Sequence, residues 1–293
     1  MSAWVLGVIG GSGLYDFEGL ADARWVSVES PFGPPSDQIL TGELAGVKVA
    51  FLPRHGRGHT LPPTAINSRA NIDALKRLGC TDILSISAVG SLKDHLAPGA
   101  FVIVDQFVDR TFAREKSFFG TGLVAHVSMA HPTCARLSSI AAYAARAAGA
   151  PTIEGGTYLA MEGPQFSSRA ESELYRAWGC SVIGMTGMPE AKLAREAELP
   201  YASLAMVTDY DCWRETPVEV GHIVEVLAAN AGKARAMLRH FVEALPAERT
   251  PSPIDTCLDG AIITAPAARD PAMIARLSAI VGRALGQPVL KDA

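Results

Sequence analysis

The sequence is short of most features that would place it at a membrane, outside the cell or on nucleic acid. Cysteine is sparse: Cys80, Cys134, Cys180, Cys212 and Cys257 stand far apart, odd in number and without a CxxC pair. That excludes a disulfide framework and a thiolate zinc site, and predicts reduced thiols in a cytoplasmic protein. No apolar run reaches the roughly 18 residues a membrane span needs. Residues 1–11 are apolar but lack a positive n-region and are interrupted by Gly7, Gly10 and Gly11, so they do not read as a signal peptide. Cationic excess is also missing. Lys and Arg number 26 against 30 Asp and Glu, a net charge of −4, so the clustered cations that grip nucleic acid or anionic lipid are not there. Neither a GxGxxG fingerprint, a GK[ST] P-loop, an HExxH metal motif nor an internal repeat occurs.

What is present suits a compact enzyme. Hydrophobic residues make up 48% of the chain and charged residues 19%, enough to bury a sizeable core. Residues 4–9 form an apolar run that ends in glycines, which reads as a buried strand feeding a tight turn. Segments 39–44 and 47–52 flank Ala45-Gly46 as a hairpin. Residues 66–78 and 135–148 have helical character and are stopped by Gly79 and Gly149. Strands are predicted over 82–88, 101–104, 157–161, 181–185 and 201–207, with helices over 168–178 and 189–196 between them. A long helix over 220–245, interrupted at Gly232, is followed by a Pro-rich tether at 245–253 and a final helix over 270–285. Alternating strands and helices imply an α/β sheet covered on both faces.

Four constellations could carry chemistry. Gly10-Gly11-Ser12-Gly13 follows the first strand and is either an anion nest or a structural turn. The segment PRHGRGH over 53–59 ends the hairpin, where Arg54 could fork onto an oxyanion with His55 as a second donor. The alternative is a solvated loop with charges on its rim. In SAVGSL a buried strand runs into a turn that presents Ser87 and Ala88 beyond a strand's carboxyl end. In TDYDCW, Asp209 and Asp211 end an apolar strand beside aromatics. A carboxylate there can move a proton near neutral pH, or simply cap the next helix.

These pieces, with EGPQFSSRAES from Glu162 to Ser172 and GMTGMPEA, occur in one order that resembles the trimeric purine nucleoside phosphorylase family over about residues 5–245. TDYDCW together with FSSRAES resembles the branch acting on 5'-methylthioadenosine. The resemblance implies a single α/β domain around a mixed, partly barrel-like central sheet flanked by helices. It implies phosphate binding at Ser12, Arg54, His55, Ser87, Ala88 and Thr186. Nucleoside binding falls on Phe166, Met185, Val220, Ile223 and Val224, and on His126 reaching across from a neighbouring subunit of a homotrimer. Asp209 and Asp211 would face the purine edge as catalytic groups. Inorganic phosphate is the implied co-substrate, with no metal and no organic cofactor. Ser12 and Ser87 stand where Thr is common, and Gln165 where Arg is frequent. Beyond Leu245 the resemblance weakens, so residues 246–293 are expected to form an arm that packs on the same domain or on a neighbour. Competing readings are a phosphorylase of 6-oxopurine nucleosides, a hydrolytic nucleosidase and a non-catalytic nucleotide sensor. The carboxylate at Asp209 favours a 6-amino purine, because relatives that act on 6-oxopurines typically carry Asn there.

Overall fold

A computed structural model describes residues 4–11, 19–214 and 220–286 of the chain; of Val220, His222, Ile223, Val224 and Leu227 only the backbone is described. The strands are β1 (Val5–Gly10), β2 (Ala21–Val26), β3 (Ile39–Leu44), β4 (Val47–Pro53), β5 (Asp82–Ser91), β6 (Phe101–Val104), β7 (Gln106–Asp109), β8 (Thr152–Glu154), β9 (Thr157–Ala160), β10 (Val182–Gly184) and β11 (Tyr201–Tyr210). The helices are α1 (Ser68–Arg77), α2 (Ala135–Ala147), α3 (Arg169–Ala177), α4 (Gly187–Glu196), α5 (Val220–Glu243), α6 (Pro271–Arg276) and α7 (Ser278–Val281). All strands join one mixed sheet in a single α/β domain, with the path β2-β3-β4-β1-β5-β10-β9-β7. The sheet branches at β5, which also pairs in parallel with β11; β11 continues antiparallel to β6, and β6 pairs with β8.

Period-2 alternation along the central strands divides the core between the two faces. Leu84, Ile86, Leu204 and Met206 turn toward α2 and α5, where Leu137, Ala141, Met237 and Phe241 cover them. Ile83, Ala205 and Val207 turn the other way, onto Ile72 and Leu75 of α1, Ala191 and Leu193 of α4, and Ile280 of α7. Both faces are therefore covered, as the alternation of strands and helices implies.

Two sequence expectations are corrected. Helix α5 runs on through Gly232. One helical glycine costs about 1 kcal/mol, while the next turns bury Ala234, Met237, Leu238 and Phe241 completely. The final helix is broken instead of continuous: Asp270 caps α6, and a non-helical turn at Leu277 starts the shorter α7. That turn buries Leu277, Ile280 and Val281 in the α1–α4 face.

The segment after α5 folds back onto its own chain. Trp4 Nε1 donates to the Pro246 carbonyl at 2.8 Å. Arg249 meets Asp82 at 2.5 Å and Asp255 at 2.6 Å. Arg136 of α2 bonds the same Asp82 and the Thr250 carbonyl, and further on Arg283 meets Glu198 at 2.5 Å.

Candidate active site

The carboxyl ends of β1, β4 and β11 and the second half of β5 converge on a cleft of about 570 Å³. Openings beyond strand carboxyl ends are where α/β sheets hold ligands. Arg54, His55, Ser87, Ala88, Phe166, Met185, Thr186, Asp209 and Asp211 all line this cleft, although they come from segments up to 157 residues apart (211 − 54). Ser12 lies outside the described residues, as do the side chains of Val220, Ile223 and Val224. His126 is elsewhere. It lines a second cavity of about 360 Å³ with Lys116, Phe119, Lys192 and Glu196, so the fold of one chain does not bring it to the cleft.

At one end of the cleft Arg54 is only 2% exposed, and its fork grips a protein carboxylate. Nε donates to Glu190 Oε2 at 2.9 Å. Nη2 donates to Ser85 Oγ at 2.8 Å and approaches Glu190 Oε1 and the Ile9 carbonyl at 3.3 Å each. Nη1 donates to the Ile86 carbonyl at 3.0 Å. A guanidinium carries five N–H donors, so a single Nη1–H is left without a partner among the described residues. Arg54 therefore offers an incoming anion one fixed donor instead of a bidentate fork. Burial pulls its pKa down, but the facing Glu190 outweighs this and raises it. Glu190 Oε1 also accepts from Ser85 Oγ at 2.6 Å and from the Tyr201 hydroxyl at 2.8 Å.

His55 stands beside Arg54 at the start of a tight loop. Its Nδ1 lies 2.9 Å from the Leu61 carbonyl, and the His59 ring stacks on it at 4.2 Å. Burial lowers its pKa to about 4; the Leu61 contact opposes this, and the Arg54 and His59 charges add to the lowering.

The other end is acidic. Between Val207 and Asp209 the β11 strand bulges against β5, so that Val207 faces Val89 while Asp209 faces Gly90. Bulges re-aim side chains next to functional sites. Here the extra residue brings Asp209 up on the side of Met206 and Ala88, both of which line the cleft; strict alternation would turn it with Val207 into the opposite face. Thr208 Oγ lies 2.7 Å from Asp209 Oδ1 and 3.2 Å from the Val89 carbonyl, and fixes the bulge. Asp211 is 4% exposed, with Oδ2 unpartnered among the described residues. Burial raises its pKa, as it does for any carboxylate withdrawn from water. Phe166, 48% exposed, supplies an aromatic wall.

A second buried ion pair shapes the floor. Glu162 accepts from Thr64 Oγ1 at 2.7 Å, from the Phe112 and Ala113 amides at 2.6 and 3.0 Å, and from Arg114 Nε at 2.8 Å. Burial opposes ionisation, but these four donors hold its pKa at about 2. Arg114 in turn donates to the Met185 and Met188 carbonyls at 2.6 and 2.9 Å, and so sets the loop carrying Met185 and Thr186. Gly163 sits beneath it at φ +69; a Cβ there would come within 2.4 Å of Met185 Sδ. Neither Glu162, Arg114 nor Glu190 was singled out from the sequence. A glutamate on the buried face of α4, among Ala191, Leu193 and Ala194, was the available signal. Among the described residues no group of three or more His, Cys, Asp or Glu is arranged to hold a metal ion, and no helix is long and apolar enough to cross a membrane.

The cleft thus gathers a buried guanidinium, an imidazole and two carboxylates between apolar walls, and comparisons with known proteins give the class of protein to which the chain belongs. The model of the phosphorylase superfamily matches residues 5–243, and the chain belongs to that family. It is 61% identical over 285 residues to the S-methyl-5'-thioadenosine phosphorylase of Cereibacter sphaeroides, covering 96% of this chain and 98% of that one. The enzyme of that name from Rhodospirillum rubrum is 61% identical over 286 residues, covering 96% and 97%. Among solved structures, a methylthioadenosine phosphorylase sourced from an Antarctic soil metagenomic library superposes with a TM-score of 0.90 at 46% identity, covering 96% and 99%. That of Schistosoma mansoni in complex with adenine gives 0.83 at 37%, covering 90% and 100%.

Proposed function

We propose that this chain cleaves 5'-methylthioadenosine with inorganic phosphate, releasing adenine and 5-methylthioribose 1-phosphate, a pentosyl transfer that serves purine and methionine salvage. The observation that carries the reading is the cleft itself, with Arg54, His55, Ser87 and Thr186 at one end and Asp209 and Asp211 at the other. The near full-length identity to relatives of that name supports it.

Cleavage breaks the bond between C1' and the purine nitrogen. Positive charge builds on the sugar and negative charge on the departing base. Phosphate held by the Arg54 Nη1–H, His55 and the Ser87 and Thr186 hydroxyls lies against C1', stabilises the cationic sugar and forms the new C–O bond. Asp209 and Asp211 meet the purine's five-membered ring and its exocyclic amine. Burial raises the pKa of the Asp211 carboxyl, which favours the protonated form that can give the leaving base its proton. Met185 lies under the ribose and Phe166 against the base. The reading extends to a cytoplasmic homotrimer in which His126 completes a neighbour's site, and to residues 1–245 as the catalytic domain with 246–293 as its arm. The distance of His126 from its own cleft and the span of the family match support these two parts.

The test is purine release from a panel of methylthioadenosine, adenosine, inosine and methylthioinosine, with and without phosphate. Release from methylthioadenosine that requires phosphate is expected. Release independent of phosphate would make the protein a hydrolase, and a preference for the 6-oxo substrates would overturn the substrate assignment.

A further inference from the structure

The bulge in β11 sets one residue too many against β5. Val207 is in register with Val89 and Asp209 with Gly90, so Thr208 is the extra residue, with no partner of its own in the ladder. It is only 2% exposed. Among the described residues its hydroxyl has two contacts, Asp209 Oδ1 at 2.7 Å and the Val89 carbonyl at 3.2 Å. A threonine hydroxyl has one hydrogen and two lone pairs, and a carbonyl oxygen only accepts. When Asp209 is ionised, the hydrogen points to Oδ1. When the carboxyl carries its proton on Oδ1, that proton is donated to Oγ and the threonine hydrogen turns to Val89. The contact to Oδ1 is kept in both states by rotation about one C–O bond, with no heavy atom moved.

The other carboxyl oxygen is placed by the space beside it. Gly90 and Asp209 both line the cleft, and a Cβ on Gly90 would stand 3.2 Å from Asp209 Oδ2 and from Ile183 Cγ2. Glycine leaves that space to the carboxyl. We infer that Thr208 is a positioning residue of the base end: its hydroxyl pins Asp209 Oδ1 whether or not the carboxyl is protonated, and so keeps Oδ2 turned to the purine while charge develops on the leaving base. A carboxyl free to turn about its Cβ–Cγ bond would offer its oxygens at any angle, and a contact that must strengthen in the transition state would be lost to reorientation. The inference rests on the reading of the cleft as a nucleoside-cleaving site with Asp209 against the base.

Steady-state kinetics of the full-length protein with methylthioadenosine and phosphate test it. Thr208→Val keeps the shape and removes the hydroxyl. Its kcat should fall at least about tenfold while both KM values stay within about twofold of wild type, as expected for a contact that acts in the transition state. Thr208→Ser should keep kcat within about threefold, and Thr208→Ala should lose as much as Thr208→Val. Serine and alanine both lack the methyl group, so that pair isolates the hydroxyl even if Thr208→Val does not fold. On an Asp209→Ala background, Thr208→Val should change kcat by less than about twofold, because a residue that acts through Asp209 then has nothing to position. Hydroxyl-free variants with kcat within about twofold of wild type, or an equal loss on the Asp209→Ala background, overturn the inference and leave the substrate reading standing. If the wild type releases no adenine from methylthioadenosine in the presence of phosphate, the substrate reading falls and this inference with it.

Discussion

Glu190→Gln isolates what the buried carboxylate does for Arg54. The side chains of this pair are only 2% and 5% exposed, with Nε and Oε2 at 2.9 Å. At an effective dielectric of 20, that separation corresponds to about 6 kcal/mol of gross attraction. Much of it offsets desolvation, and removing one member of such a buried pair costs about 3–5 kcal/mol. Glutamine keeps the shape, and its carbonyl can still accept from Ser85, Tyr201 and Arg54 Nη2. Its amide then points N–H groups at Arg54 Nε, so one charge-assisted bond becomes a repulsive contact. A loss near the lower end, about 3 kcal/mol, is expected in urea unfolding. Arg54 is freed from a fixed direction, so the KM for phosphate should rise at least about tenfold while the KM for nucleoside changes little. A stability loss under about 1 kcal/mol together with an unchanged phosphate KM would refute the claim that Glu190 orients the guanidinium.

Three further outcomes are expected. Asp209→Asn should cost about two orders of magnitude in kcat/KM on methylthioadenosine and far less on methylthioinosine; an unchanged ratio between the two substrates would show that Asp209 does not read the base. Glu162 has its pKa depressed to about 2 from 4.5, so it contributes stability above its unfolded pKa that is lost as pH falls from about 4.5 through about 2. Glu162→Gln should flatten that part of the acid-unfolding curve, and an acid limb of unaltered steepness would remove Glu162 as its source. Arg249→Met takes one cation from Asp82, whose side chain is fully buried, and should cost about 3 kcal/mol in thermal or urea unfolding. Both KM values should stay as they were; an altered phosphate KM would contradict a purely structural role for the arm's attachment.

Where burial follows a simple period, the chain is readable from its residues. β1, the hairpin β3–β4, β6 and α2 lie where their apolar runs and glycine stops indicate. β2 is not readable, because ADARWV pairs only with β3 at the sheet's rim and is largely exposed. β7 and β8, of four and three residues, are too short to show alternation. The cleft residues were legible as motifs, since glycines, arginine and carboxylates at strand ends are costly unless they have work there. What fixes them was not legible. Glu190 and Arg54 are separated by 136 residues, and no local pattern declares that a helix will aim a glutamate at a distant strand end. The same holds for His55, whose Nδ1 is met by the Leu61 carbonyl, a backbone atom that any residue would supply.

The branching at β5 has a consequence for synthesis. This strand takes parallel partners from β1 and β11 and an antiparallel one from β10, and its first residue is held by Arg136 and Arg249. The centre of the sheet is thus assembled from pieces emerging at opposite ends of translation. Until β11 has left the ribosome β5 exposes an unfinished edge, and until residue 249 follows Asp82 lacks one of its two cations. Such non-local pairing folds slowly and leaves apolar strands open to mispairing meanwhile. Nascent chains stalled before β11 should therefore engage chaperones far longer than chains stalled after Arg249.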